Sequence, residues 1–455
     1  MTTTDKKQVI VIGSGIFGMS TALWMLQDGK YDVTILEKCG IIPAPDAAST
    51  DLNKIIRSAD YADPALAGLA LNAVEHWRLP EWEGTYHESG VFAISASDQA
   101  EGLSFVESAY KNCLDLGLAA EIIPDSKTLE SHAKFAGLKT GGFGGRKGYY
   151  NPIGGWAEAG RAVEVGLKRV RQLGGEVRGG AEVVGLIKDG KKVQGVRLKS
   201  GEEVKGDLVV VAAGAWTPAL FALPDVSAHL PPIVATGQSV ATMQLTPEEA
   251  ERYSNTPVVF NLDDGYYIFP PNHEGIVKMA IHGAGYVNPQ EEVKGVSIPR
   301  TKLTPGAEDG AIPKVMLDHI KSGLAEVYPE LTKKDFNMTR LCWYCDTVTG
   351  DWLIDYHPDY ENLFVATGGS GHAFKFAPVI GREILKSIEG NPAPEYKERW
   401  AFCPPKELVE PAAEKGDVST DAPETTAAGA DVRAGQRKVL KVEDLVTSRD
   451  LRAKL

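Results

Sequence analysis

At 455 residues the chain is too long for one typical domain, and a formal net charge of −13 argues against nucleic acid or an anionic membrane as the main partner. No run of about 18 apolar residues occurs, and the polar start Met1 to Lys7 feeds a core strand at once, so neither a membrane span nor a signal peptide is expected and the chain reads as soluble and intracellular. Five cysteines (Cys39, Cys113, Cys342, Cys345, Cys403) form an odd, sparse set, unlike a secreted disulfide framework.

The first predicted element is the strand-like run Val9–Ile12, which leads into Gly13-Ser14-Gly15-Ile16-Phe17-Gly18 and a helical pattern to about Asp28. Such a turn needs glycines for an unusual backbone angle, for close approach of a pyrophosphate to the main chain, and for tight packing of helix on strand. The phosphates then face the helix N-terminus. A second apolar strand, Asp32–Leu36, ends in Glu37, roughly 20 residues beyond the glycines, where an acid that grips a ribose hydroxyl belongs. The unit predicts a dinucleotide site; at this point FAD and NAD are both open.

A loop over Pro43–Thr50 and the segment Asp51–Arg57 follow, then a helix over Leu66–Trp77. From about Glu81 to Gly145 the pattern shifts to short strands with a helix near Ala100–Leu118, which reads as the first piece of a second domain. Trp156–Gly174 is amphipathic at helical spacing, and short strands follow near Glu176–Lys188 and Val193–Lys199. Asp207–Trp216 is an apolar strand running into a glycine turn, as in a parallel sheet covered on both faces. Strands and loops return between about Pro224 and Asp335, with a helix at Pro313–Tyr328; Asn362–Gly369 then repeats the strand-to-glycine theme before a helix at Pro378–Ile388. Three separated units of this kind imply a cofactor domain assembled from residues 1–80, 146–222 and 339–392, with a substrate domain from 81–145 and 223–338. The remainder, 393–455, is a C-terminal extension whose composition from about Pro404 reads as a flexible, non-core tail. Its last residues, Ala453-Lys454-Leu455, are similar to the small-basic-leucine tripeptide read by the peroxisomal import receptor, with the cytoplasm as the alternative location.

Taken in order, the N-terminal unit, Ala213-Gly214-Ala215-Trp216, Cys342-Trp343-Tyr344 and Gly369-Ser370-Gly371-His372-Ala373-Phe374-Lys375 resemble the family of monomeric sarcosine oxidase, pipecolate oxidase and fructosyl amino acid oxidase (amadoriase). The resemblance spans about Val9 to Ile388. It implies a glutathione-reductase-like α/β domain that binds FAD, an α+β substrate domain built on a mostly antiparallel sheet, and oxidation of a C–N bond with O2 as acceptor. It places the cofactor against Ile12, Gly13, Ser14, Gly15, Ile16, Gly18, Glu37, Lys38, Ser49, Asn53, Lys54, Val184, Ala213, Gly214, Trp216, Gly369, Ser370, Gly371 and Lys375. It also implies a covalent thioether from Cys342 to the flavin, leaving Cys345 a bystander. A dithiol redox pair or half a zinc site competes for these cysteines, but no second C-x-x-C or His-x-His completes four ligands, and no metal is expected.

Lys278 matches the family lysine that sits before the flavin N5 and activates oxygen; a fixed cation there stabilises the charge that develops as O2 takes an electron. On a strand, Lys278, Ala280 and His282 would share one face. Arg57 and Lys375 match the two cations that hold a substrate carboxylate, and Tyr267, His282 and Tyr344 match residues lining the pocket, with His282 and Tyr344 joining Lys278 as catalytic candidates. His282 departs from the fructosyl amino acid oxidases, which carry a glutamate there, and so disfavours a deglycating role. The expected enzyme oxidises an N-substituted or cyclic amino acid such as sarcosine, L-pipecolate or saccharopine to an imine that water hydrolyses, releasing hydrogen peroxide. The alternatives are a fructosyl amino acid oxidase, a specialised amine oxidase of a secondary-metabolite pathway and, from another class, an NAD-dependent dehydrogenase, which would need neither Cys342 nor Lys278. A monomer is the family's default.

Overall fold

Strand Lys7–Ile12 pairs in parallel with Tyr31–Leu36 on one side and Leu208–Val211 on the other. In this computed structural model, which describes residues 6–226, 228–405 and 437–453, those three strands are the centre of a six-stranded sheet. Leu363–Thr367 extends it in parallel, Leu353–Tyr356 closes that edge antiparallel, and Glu176–Arg178 forms the opposite edge. Both faces are covered. Val9, Val11, Val33, Ile35 and Val210 project toward helices Ile16–Asp28, Ala159–Gln172 and Ile380–Ile388. Ile10, Ile12, Val209 and Val211 project toward a three-stranded antiparallel sheet of Val183–Asp189, Lys192–Leu198 and Glu203–Lys205. A strand buried on both sides has no solvent face for alternation to mark, which is why these segments read as continuous apolar runs.

The turn after the first strand is fixed by close approach. A Cβ on Gly13 (φ +105°) would lie 2.5 Å from the Ala212 carbonyl oxygen, and one on Gly18 would lie 2.0 Å from the Gly13 carbonyl oxygen. Gly18 therefore acts through helix-on-turn packing, and it does not line the cavity described below.

The second layer is a ten-stranded, mostly antiparallel sheet. Its longest strand, Ile233–Gln244, pairs with Met338–Thr347 along one side and Ile276–Ile281 along the other. Period two divides the side chains: Val240, Ala280, Cys342 and Tyr344 face the core shared with the first domain. Ala241, Met243, Met279, Leu341 and Trp343 pack instead with helix Lys314–Val327.

Two boundaries differ from the sequence reading. Lys147–Asn151 and Met338–Thr347 are strands of the ten-stranded sheet, so divisions at 146 and 339 fall too early; apolar alternation identifies a strand without saying which sheet it joins. The tail reading also fails over 437–453. Lys438–Val439 adds a parallel strand beside Tyr286–Val287, Leu440, Leu445 and Val446 are buried, and the Phe336 N–H donates to the Leu451 carbonyl at 2.8 Å. The apolar residues there are interleaved with charges, which hid them. Residues 406–436 lie outside the described residues, as do Lys454 and Leu455 of the terminal tripeptide; the Ala453 N–H donates to Asp335 Oδ1 at 2.6 Å. No helix among the described residues is long and apolar enough to cross a membrane.

Candidate active site

A long cavity of about 450 Å3 starts at the glycine turn, where Ile12, Gly13, Ser14, Gly15 and Ile16 form its floor. Glu37 stands at the end of its strand with one carboxylate oxygen accepting the Ser14 N–H (3.1 Å) and hydroxyl (2.7 Å) and the other the Cys39 N–H (3.0 Å). The acid is thus aimed at the turn. Lys38 lays its ammonium 3.8 Å above the centroid of the Trp216 ring, and burial pushes its pKa down. Ser49, Ala213, Gly214 and Trp216 continue the wall, and the cavity ends against Trp343, Tyr344, Cys345, Gly369 and Gly371. A Cβ on Gly214 would meet nothing within 4 Å, so that glycine leaves the wall open.

At its far end the long cavity meets a small one of about 50 Å3, and Lys54, Tyr344, Gly371 and Phe374 line both. Behind this junction lies an ion cluster. Asp51, 2% exposed, accepts from Lys278 Nζ at 2.6 Å and Lys54 Nζ at 3.1 Å on one oxygen. Its other oxygen accepts the Leu52 N–H at 2.9 Å and lies 3.8 Å from Arg340 Nη1. Burial opposes the Asp51 charge, but the surrounding cations outweigh it and hold the carboxyl well below its usual range. Burial, with Lys54 adding to it, brings Lys278 down to about 8 against the pull of Asp51. Burial also works against Lys54, yet Cys342 and Asp51 carry it above the ordinary lysine value; its Nζ is 3.3 Å from Cys342 Sγ.

The small cavity holds the residues matched to substrate. Arg57, 3% exposed, stacks its guanidinium 4.6 Å from the Tyr61 ring centroid and donates to the Asp60 carbonyl at 3.2 Å. Lys375 Nζ donates to the Tyr61 hydroxyl at 2.7 Å and to the His372 carbonyl at 2.6 Å. Tyr61 therefore separates two buried cations. Across the pocket, His282 Nδ1 and the Tyr344 hydroxyl are 3.3 Å apart, with Phe260 and Tyr267 beside them. The loop that carries Arg57 and Tyr61 is pinned by the Asp60 carboxylate, which accepts from the Tyr149 hydroxyl (2.9 Å), Asn151 Nδ2 (3.0 Å) and the Ser58 N–H (3.1 Å).

Several sequence-based placements shift. Val183, not Val184, lines the long cavity, because a strand turns neighbouring side chains to opposite faces. Lys278 lines neither cavity; it is fully buried behind Lys54, donating to Asp51 and to the Asn53 carbonyl at 2.6 Å. Cys342 likewise sits behind the wall beside Lys54, whereas Cys345 lines it. Ser370 does not line the cavity; its hydroxyl turns back to the Gly368 carbonyl at 2.9 Å. Lys375 belongs to the small cavity alone. Asp51, Asp60 and Tyr61 were not singled out from sequence, although each lies within four residues of Lys54 or Arg57. Elsewhere, His229, His357 and Asp359 bring metal-ligand atoms together, but both His357 ring nitrogens are hydrogen-bonded to backbone, at 2.9 and 3.1 Å.

The long cavity fits an extended dinucleotide, from a phosphate-type turn at one end to a cation junction at the other. Next to Lys54, Asn53 is fully buried with neither polar atom of its side-chain amide hydrogen-bonded, and it lines neither cavity. A family model described as FAD dependent oxidoreductase (DAO) matches residues 8–386. L-saccharopine oxidase of Schizosaccharomyces pombe is 30% identical over 415 residues, covering 87% of this chain and 93% of that protein. Peroxisomal sarcosine oxidase of Mus musculus is 25% identical, covering 86% and 94%. Among solved structures, fructosyl amine:oxygen oxidoreductase (Amadoriase I) of Aspergillus fumigatus superposes with a TM-score of 0.80 over 97% of both chains at 24% identity, a likeness of fold.

Proposed function

We propose, from the premise that this chain belongs to the FAD dependent oxidoreductase (DAO) family, that it oxidises the C–N bond of a secondary amino acid, with sarcosine, L-pipecolate and saccharopine as the substrate set and O2 reduced to hydrogen peroxide. The observation that carries this reading is the small aromatic pocket with Arg57 and Lys375 in its wall, opening at Lys54 onto the long cavity. The kinship with L-saccharopine oxidase over most of both chains supports it.

Bound FAD supplies the two-electron acceptor. The chain's own residues do the rest. Arg57 and Lys375 hold the substrate carboxylate, and the hydrogen-bonded His282–Tyr344 pair sets the amine end. Phe260, Tyr267 and Phe374 exclude water, and the buried lysines place positive charge where oxygen acquires electrons. The test is peroxide release by FAD-loaded protein on sarcosine, L-pipecolate, L-proline, saccharopine and fructosyl-lysine with O2 as sole acceptor. Turnover confined to fructosyl-lysine would replace this reading with a deglycating one, and turnover that requires a nicotinamide would end it.

Cys342 is the attachment point for the flavin in this reading. Support comes from Lys54 Nζ at 3.3 Å from its sulfur, and from Cys345, whose thiol burial pushes up to about 12, away from the reactive thiolate. Acid-unfolded wild type is expected to keep its yellow colour on the polypeptide, with Cys342→Ser releasing it to the small-molecule fraction and Cys345→Ser not; colour retained by Cys342→Ser would exclude this cysteine. A peroxisomal address through Ala453-Lys454-Leu455 is supported by the kinship with peroxisomal sarcosine oxidase. Unchanged peroxisomal location of a C-terminally fused chain would count against it.

A further inference from the structure

We propose that Asp51 is a positioning residue that gathers Lys278 and Lys54 into one ion cluster and keeps the Lys278 ammonium charged behind the junction of the two cavities. The inference rests on the oxygen-activating role given to Lys278 and adds the group that lets a fully buried lysine perform it.

An ammonium without exposure or counter-charge sheds its proton, because burial penalises the charged form. Among the described residues, Asp51 is the one carboxylate paired with Lys278 and with Lys54. A single oxygen takes both ammonium groups, while the Leu52 N–H and Arg340 hold the other, so the carboxylate cannot rotate without breaking contacts on both sides. The Asn53 carbonyl supplies Lys278 with a second acceptor from the same short segment. The groups that face Lys278 come from three elements. They are Asp51 and Lys54 from the segment before helix Pro64–Trp77, Cys342 from Met338–Thr347, and the rings of Tyr267 and Phe269 at 5.9 and 4.9 Å, while Arg340 joins the cluster on the far oxygen of Asp51. Asp51 draws a proton toward Lys278 and Lys54 repels it. The two should therefore act in opposite directions on one titration.

The test is a pH titration of the visible absorbance of oxidised, FAD-loaded enzyme, without turnover. Wild type should show a wave with its midpoint near 8, lost in K278M. In D51N the midpoint should fall by roughly 1–3 units; in K54M it should rise; D51E, which keeps the carboxylate, should stay near wild type. A merely structural role for Asp51 would lower thermal stability in D51N without moving the midpoint, and that result, or an upward shift, would overturn the proposal. Should D51N not fold, K54M decides: a midpoint that stays or falls overturns it. A wave that survives in K278M would overturn the Lys278 assignment and this proposal together, whereas a wave lost in K278M but unmoved in D51N would overturn this proposal alone.

Discussion

Lys278→Met is expected to slow the reaction of reduced enzyme with O2 by about 10²–10³-fold, the loss typical of removing one fixed electrostatic stabiliser, while reduction by saturating amine substrate changes little. The asymmetry follows from charge. The first electron given to O2 turns a neutral molecule into superoxide, and a buried ammonium stabilises that new anion strongly in a low-dielectric setting. The variant should fold, because Asp51 keeps Lys54 and Arg340 as partners and methionine fills the vacated space. The pH dependence has a definite sign. Burial depresses the Lys278 pKa to about 8, so the cation is present below that pH and lost above it, and the rate of reaction with O2 should fall as pH rises through about 8 in wild type and stay flat in the variant. Stopped-flow mixing of substrate-reduced enzyme with oxygenated buffer measures both effects; equal slowing of reduction and reoxidation would refute the role.

The parts of this site that were legible in sequence are local ones. Gly13, Gly15 and Glu37 could be read because a strand, a tight turn and a second strand fall within one short stretch, and backbone geometry there dictates residue type. The face shared by Lys278, Ala280 and His282 followed from strand periodicity, but depth did not: nothing in the sequence says that Lys54 would stand between Lys278 and the cavity. Asp51 escaped notice because its role arises only when segments more than 200 residues apart in the chain converge on it. Tyr61 was missed for the same reason, since its hydroxyl becomes meaningful only when Lys375 donates to it. The C-terminal strand at Lys438–Val439 was hidden because it is two residues long and both are exposed, which leaves no apolar pattern to mark it where composition reported a tail.

Replacing Arg57 or Lys375 by Met should each lower kcat/KM for a secondary amino acid by about 10–150-fold, the range set by losing one hydrogen bond between charged partners. Arg57→Lys should recover little, because a point ammonium cannot present the two parallel donors of a guanidinium. The losses should not add in the double variant, since both cations act on one carboxylate and are coupled through Tyr61, which stacks under one and accepts from the other. The decisive comparison uses the matching secondary amine without its carboxylate. Wild type should oxidise it poorly, and neither substitution should slow it further, so that the ratio of kcat/KM values for the two substrates collapses toward one. If both substrates lose activity equally, the cations shape the pocket rather than read the carboxylate. A selective loss would tie amino acid recognition to the pocket wall that carries Arg57 and Lys375 on either side of Tyr61.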